Sequence, residues 1–374
     1  LNSVRALQFR AAQLHVGAQD AGHRRQRLKH GVPRVHGHHP VDPKLEPHSC
    51  NQSGQGSGDY PRTPSLAHLP RLPPTRRAMI VAFLGLGAIG SPMARHLARG
   101  PFGLHVWNRT SAKAAAFAAE HGVRPAATPA AAAAGADVVI TCFPVSADVE
   151  ALLDGSDGLL AGLARGSVLV DCTSGDPATS RRIAARLAER GVGFLDAPVS
   201  GGVAGAEAGT LTVMVGGDDV TLARVRPALE AFGKKIVPCG GIGAGDAVKA
   251  VNNALLAQHI IGTAEGLLAL AKAGVAPDVA LDVINTSSGR SNASMNLFPE
   301  RVLTGAFPRT FRLALLDKDV GIALQVAGEQ DLEAPMLALA SQLYHRARAA
   351  LGEEADHVEL VRWLEARAHQ EIRA

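Results

Sequence analysis

Residues 79–90 read MIVAFLGLGAIG, and the chain runs on through Ser91, Pro92, Met93, Ala94, Arg95, His96 and Leu97. The short apolar run from Ile80 to Leu84 reads as a buried parallel strand. It leads straight into a Gly85-x-Gly87-x-x-Gly90 turn, with Ala88 and Ile89 inside it, and a helical pattern follows. Gly85 permits a tight turn, Gly87 lets the backbone come close to a pyrophosphate, and Gly90 lets helix pack closely on strand. The helix N-terminus offers free N–H groups and a positive dipole end to phosphates. In a chain with 40 glycines the spacing alone says little. Between a strand and a helix it reads as a dinucleotide-binding turn.

The 374 residues suffice for two domains and a substantial core. No uninterrupted apolar run reaches the roughly 18 residues that cross a membrane. The four cysteines, Cys50, Cys142, Cys172 and Cys239, are scattered without a CxxC pair. Neither a disulfide framework nor a zinc site is indicated, which fits a reducing cytoplasm. Residues 1–78 hold 12 Lys/Arg against four Asp/Glu, for a net charge of +8, while the remainder is −4. That first stretch also carries eight of the 15 histidines, many prolines and a Gly/Ser/Gln patch at 51–58. With no period of 2 or 3.6 it reads as a disordered leader outside the native fold, with Met79 as the natural start. No apolar h-region marks a secretory signal. The histidines are expected to serve no functional metal site.

From Met79 strands and helices alternate. Helices are expected at 91–98, 111–121, 146–153, 177–190 and 218–232, and strands at 104–107, 137–142, 167–171, 193–197, 210–215 and 235–238. A glycine loop is expected between the strands at 193–197 and 210–215. Such a βαβ series builds a mostly parallel, doubly wound sheet. After Gly240-Gly241-Ile242-Gly243 one long helix is expected over 244–273, and helices with short loops to the end. The fold expected is therefore α/β, a Rossmann-type doubly wound parallel sheet over 79–242 followed by an all-α domain over 243–374.

NAD-binding turns usually carry Asp or Glu about 20 residues past the glycines, for the ribose 2′-OH. At the end of the second strand this chain has Asn108, Arg109 and Thr110 instead. Arg109 can pair bidentately with a 2′-phosphate, and its neighbours can add hydrogen bonds. NADP is thus favoured over NAD, the plainer alternative being a solvated arginine in a turn. Lys249 and Asn253 lie four residues apart near the start of the long helix, so they share a face. Facing a cleft, a lysine can act as general acid and an amide can orient substrate; partial burial would lower the lysine's pKa toward that task. Alone, an exposed lysine near a helix start would be the better reading. The context is Ser200, Gly201 and Gly202 at a strand end, whose hydroxyl and backbone N–H groups suit a carboxylate. No GxSxG elbow is present, so Ser200 is not read as a nucleophile.

GLGAIGSPMARHL, DAPVSGGVAGAEAGTLTVMVGG, GAGDAVKAVNN and the late Lys318-Asp319 together resemble the β-hydroxyacid dehydrogenase family, typified by 3-hydroxyisobutyrate dehydrogenase. The resemblance runs from Met79 to about Trp363 with the motifs in family order. It implies hydride transfer between NAD(P) and a small 3-hydroxy acid or its semialdehyde, in homodimers or homotetramers. It further implies Lys249 as the catalytic lysine, Asn253 as its helper and Ser200-Gly201-Gly202 as the carboxylate site. By the same resemblance Lys318 lies by cofactor and active site, and Phe143, Pro144, Thr173 and Ser174 surround the nicotinamide half. Ser287-Ser288-Gly289-Arg290-Ser291 is similar to a segment lining the substrate cleft. Asn108-Arg109-Thr110 looks more like the NADP-using semialdehyde and glyoxylate reductases, and Asp148 stands where relatives often have Asn. Lys249 argues against an imine reductase, and the roughly 130 residues after Gly243 are too few for 6-phosphogluconate dehydrogenase. A non-catalytic dinucleotide-binding scaffold with a basic arm for nucleic acid is the remaining alternative. The diffuse, aromatic-poor leader speaks against it.

Overall fold

The computed structural model describes residues 77–374; the readings made for 1–76, the His-rich stretch included, lie outside the described residues. In chain order the sheet-bearing half begins β1 (Ile80–Leu84), α1 (Gly90–Ala98), β2 (Gly103–Trp107), α2 (Ser111–His121), β3 (Arg124–Pro125), α3 (Pro129–Ala133) and β4 (Val138–Thr141). It continues with α4 (Ser146–Ala151), α5 (Leu159–Gly162), β5 (Val168–Asp171), α6 (Pro177–Ala188) and β6 (Gly193–Asp196). It closes with β7 (Val199–Ser200), α7 (Gly202–Ala208), β8 (Leu211–Gly216), α8 (Asp219–Glu230) and β9 (Gly233–Gly240). The helical half follows as α9 (Ala244–Lys272), α10 (Pro277–Thr286), a π-helix (Ala293–Val302), α11 (Leu313–Gly328), α12 (Pro335–Leu351) and α13 (Leu360–Ala368).

The sheet order is β3-β2-β1-β4-β5-β6-β8, with β7 and β9 both paired to β8. From β3 to β6 every pairing is parallel. The order reverses between β1 and β4, so a crevice opens outside the carboxyl ends of these strands, where doubly wound sheets hold ligands. β8 runs antiparallel to β6 and β7, and β9 runs parallel to β8. The sheet is thus parallel through six strands and turns over at one edge. Val81, Phe83, Val106 and Ile140 pack on one face with α1, α2 and α8, while Ala82, Leu84, Val139 and Leu169 pack on the other with α6. Burial on both faces explains why these strands read as continuous apolar runs.

The expected strand at 80–84 and helix at 111–121 have those bounds in the structure, and the others differ by a few residues at their ends. Several short elements escaped the sequence pattern, the two-residue β7 among them. β3 has two residues and α5 four, too few for a period, and α3 is an alanine run started by the Thr128 hydroxyl, which accepts from Ala131 N at 3.1 Å. The expected glycine loop is corrected: its middle is the helix α7. Gly201 and Gly202 take φ of +137° and +64° to turn the chain, Ala206 is buried beneath it, and Gly209 ends it left-handed. His96 of α1 bonds the carbonyls of Ala206 and Glu207, both at 3.0 Å, and so holds the end of α7.

α9 is organised by one stripe. Its buried residues include Asp246, Lys249, Ala250, Asn253, Ala254, Ala257, Ile260, Ile261, Ala264, Leu267 and Leu268, at three- and four-residue steps. By length and mean hydropathy (1.4 over 18 residues) this helix could cross a membrane. Its packing gives the composition another reason, since the stripe is the centre of the helical core with Phe298, Leu316, Val320 and Tyr344. Two turns at its N-terminal end carry polar residues on the stripe.

Candidate active site

At the first turn the three glycines play different parts. A Cβ on Gly85 (φ +105°) would run into the Cys142 carbonyl, and one on Gly90 would run into the Gly85 carbonyl. A Cβ on Gly87 would meet nothing within 4 Å. Gly85 and Gly90 therefore serve packing, and Gly87 borders open space next to exposed Ala88 and half-buried Ile89. Ile89 is the N-cap of α1 and offers no side-chain oxygen, and the first turn has no acid. Ser91 N already donates to the Gly87 carbonyl at 3.0 Å and Pro92 has no N–H, so the Gly90 N–H and the helix dipole are what this turn offers an anion. The turn thus fits the pyrophosphate of a dinucleotide.

Asn108, read as a cofactor contact, has a further task. Its Oδ1 accepts from Leu86 N at 3.0 Å and its Nδ2 donates to the Thr110 carbonyl at 3.2 Å, so it braces the glycine turn from β2. Arg109 is exposed beside it, and Thr110 is the N-cap of α2 without a side-chain cap bond. Across the switch point Phe143 packs obliquely on Trp107, with ring centroids 6.5 Å apart, and Pro144 is exposed. Phe143 N donates to Thr173 Oγ1 at 3.0 Å, so the loops after β4 and β5 are joined. Beneath them burial pushes the Cys142 thiol up to about 12, with the Asp171 charge adding to it, which makes this sulfur a packing group.

Three carboxyl groups that the sequence reading left without a role lie buried where α9 meets the sheet. Asp171 accepts from Thr141 Oγ1 at 2.8 Å and Thr173 N at 3.0 Å, shaping the end of β5. Asp196, the last residue of β6, accepts from Gly243 N at 2.7 Å and Asp246 N at 3.0 Å. It thereby caps α9 from another element, because Gly243 at the N-cap has no side chain. Asp246 accepts in turn from Gly175 N at 3.0 Å and Ser180 Oγ at 2.6 Å. Burial raises the pKa of all three, and the Asp196 charge raises the other two further.

One turn along α9, Lys249 is 9% exposed. Burial pulls its pKa below the ordinary lysine value, the Asp319 charge pulls it back up, and the Lys318 charge lowers it again. Asp319, 2% exposed on α11, is the group that ties these side chains together. Its Oδ2 accepts from Asn253 Nδ2 at 2.6 Å, and its Oδ1 pairs with Lys318 Nζ at 3.0 Å. Lys318 Nζ also donates to the Ser174 carbonyl. Lys249, Asn253, Lys318 and Ser174 are thus brought into one cluster, with Asp319 as the missed member; its only sequence signal was its place beside Lys318. Ser200 is half-buried at the end of β7, and Gly201 and Gly202 are exposed beside it. The 287–290 stretch is exposed, and Ser291 and Ser294 cap each other at the start of the π-helix (2.8 and 3.1 Å).

A dinucleotide turn, a switch-point crevice and a buried lysine on the helix that joins the two halves define a nicotinamide-dependent oxidoreductase. The model for the NAD-binding domain of 6-phosphogluconate dehydrogenase matches residues 80–241. The model for the NAD-binding domain of NADP-dependent 3-hydroxyisobutyrate dehydrogenase matches 243–364. The chain is 40% identical over 271 residues to 3-hydroxyisobutyrate dehydrogenase of Pseudomonas aeruginosa, covering 71% of this chain and 90% of that one. It is 35% identical over 294 residues to 2-hydroxy-3-oxopropionate reductase of Escherichia coli, covering 79% and 100%. The structure of a Mycobacterium tuberculosis 3-hydroxyisobutyrate dehydrogenase with L-serine superposes with a TM-score of 0.70 at 33% identity, covering 77% of this chain and 99% of that one. The chain belongs to the β-hydroxyacid dehydrogenase family and is an NAD(P)-dependent dehydrogenase.

Proposed function

We propose that this enzyme interconverts a small 3-hydroxy acid, of the 3-hydroxyisobutyrate kind, and its semialdehyde, with Lys249 as the proton-transfer residue. The observation that carries the reading is a lysine buried on the inward stripe of α9, beside an amide and a carboxylate, where that helix meets the carboxyl ends of the sheet. The residues that would hold the dinucleotide are the 85–90 turn, Asn108-Arg109-Thr110 and the loops at Phe143-Pro144 and Thr173-Ser174. When bound, the nicotinamide supplies the site that accepts or returns hydride. Neutral Lys249 takes the proton from the hydroxyl being oxidised; as an ammonium it returns that proton to the carbonyl oxygen in reduction. Asn253, oriented by Asp319 and by Asn252 Nδ2 (3.2 Å to its Oδ1), positions the reacting oxygen. Ser200 Oγ and the N–H groups of Gly201 and Gly202 hold the carboxylate.

Arg109 supports NADP as the preferred cofactor, since it lies exposed at the end of β2 with no acid beside it. The same residues favour a second reading, an NADPH-dependent reductase of glyoxylate or of succinic or tartronate semialdehyde. Purified enzyme assayed with NADP(H) and NAD(H) in parallel, against 3-hydroxyisobutyrate, glycerate, threonate, the matching semialdehydes, succinic semialdehyde and glyoxylate, separates the two. Turnover of 3-hydroxyisobutyrate with NADP supports the first reading. Reduction of glyoxylate or of succinic or tartronate semialdehyde without measurable oxidation of 3-hydroxyisobutyrate supports the second. Binding of NADPH with no turnover of the whole panel would sink both.

A further inference from the structure

The loop Thr173-Ser174-Gly175 after β5 is gripped from two helices of the other half. Lys318 of α11 takes the Ser174 carbonyl, and Asp246 of α9 takes the Gly175 N–H at 3.0 Å. The second oxygen of Asp246 accepts from Ser180 Oγ of α6 at 2.6 Å, so one side chain ties α9 to both a loop and a helix of the sheet-bearing half. The fit is close. A Cβ on Gly175 would lie 2.9 Å from either oxygen of Asp246, and one on Gly245 would lie 2.9 Å from Asp196 Oδ2 and run into the Met214 carbonyl. The backbone N–H groups at the start of α9 are already met by Asp196. The Asp246 side chain is therefore a separate crosslink. Burying a carboxyl next to another carboxyl is costly, so stability alone gives no reason for an acid here. Three residues on, and on the same stripe, stands Lys249.

We propose that Asp246 is a positioning residue for the lysine-dependent reaction: by holding the Gly175 N–H and the Ser180 hydroxyl it sets the height and rotation of the first turn of α9, and so places Lys249 against the 173–175 loop. The inference rests on the reading of Lys249 as the proton-transfer residue. A displacement of about 1 Å at a reacting group costs up to about a hundredfold in rate, so a crosslink one turn away is enough to matter.

The test uses the full chain as Asp246→Ala, Asp246→Asn, Ser180→Ala and Lys249→Ala, with NADPH binding followed by nicotinamide fluorescence and with kcat, KM and melting measured alongside. Asp246→Ala is expected to lower kcat by about tenfold or more while the NADPH Kd stays within about twofold. An asparagine there can accept from Gly175 N and donate to a turned Ser180 hydroxyl, so Asp246→Asn should restore kcat to within about threefold of the parent. Ser180→Ala, which leaves α9 untouched, should lower kcat in the same direction by a smaller factor, and it decides the matter if Asp246→Ala does not fold. Parent-like kcat in Asp246→Ala and Ser180→Ala, with Lys249→Ala inactive, overturns the positioning role and leaves the lysine reading standing. Loss of NADPH binding in step with kcat in folded Asp246→Ala overturns it as well, showing general support of the fold. Substantial turnover by Lys249→Ala overturns the lysine reading itself.

Discussion

Lys249 sits among groups that pull its pKa in opposite directions, and the sign of the outcome is testable. Burial and the Lys318 charge lower it, and the Asp319 charge opposes them. Oxidation needs the neutral amine, so oxidation should rise with pH through a limb below the ordinary lysine value of about 10.4. Reduction needs the ammonium and should fall through the same limb. Lys249→Ala should lower kcat by about a thousandfold or more with NADPH binding retained, and Lys249→Arg should not rescue oxidation, since a guanidinium does not deprotonate in proteins. The two residues at the end of β2 should separate. Arg109→Asp is expected to move the NADP-to-NAD preference by about tenfold or more toward NAD, because it trades a phosphate partner for a repelling charge. Asn108→Ala should weaken both cofactors alike, since it releases the brace on Leu86 N. Competitive binding of the two nucleotides reads both effects.

Two places in the fold respond oppositely to pH, the turn at 357–359 and the junction of α9 with the sheet. Around the short 3-10 turn at His357–Glu359, Asp356 accepts from Thr310 N (2.7 Å), Phe311 N (3.0 Å) and Val358 N (3.0 Å) and pairs with His357 Nδ1 (3.0 Å). Burial alone would raise its pKa, but the His357 contact and these N–H groups outweigh it and hold the carboxyl well below the usual range. Its stabilisation is present above the unfolded value of about 3.9 and is lost as pH falls through the depressed folded value. Asp356→Ala should cost about 3 kcal/mol or more by urea titration, leaving these donors unmet in a buried place. At the α9 junction the sign reverses. Asp171, Asp196 and Asp246 have folded pKa values raised by burial, so the stability of their protonated forms is present below about 3.9 and is lost as pH rises through the raised values. Asp246→Asn should flatten the decline of Tm with pH on that side.

Among the described residues, three apolar cores hold the fold, two on the faces of the sheet and one around α9. A ligand in the switch-point crevice binds the native state alone. NADPH at about a hundred times its Kd should therefore add about 2.7 kcal/mol, seen as a rise in Tm. Some large apolar side chains remain exposed on the helical half, among them Val248 and Leu255 of α9 and Met336 and Leu339 of α12. We propose that a second copy of the chain covers them. Sedimentation should show a dimer or tetramer, and a single species at the chain mass of 38.7 kDa would count against it.

The glycine turn, the run of strands and helices, the long helix from 244 and the shared face of Lys249 and Asn253 were all legible in the residue order. Each is a local pattern: a period of 2 or 3.6, a glycine where only glycine fits, a four-residue step on a helix. The antiparallel edge at β8 was not legible, because strand direction depends on pairing between distant segments. Nor was the helix α7, whose glycines read as loop until packing on α1 and β8 held it. Tertiary structure alone decided that Asp196 caps a helix 47 residues further on, that Asn108 braces the glycine turn, and that Asp319 joins Asn253 to Lys318. Those roles belong to side chains that read locally as ordinary polar residues. They acquire a purpose only where the fold takes water away from them, and a buried donor or carboxylate must then be met by the partner that the chain brings to it.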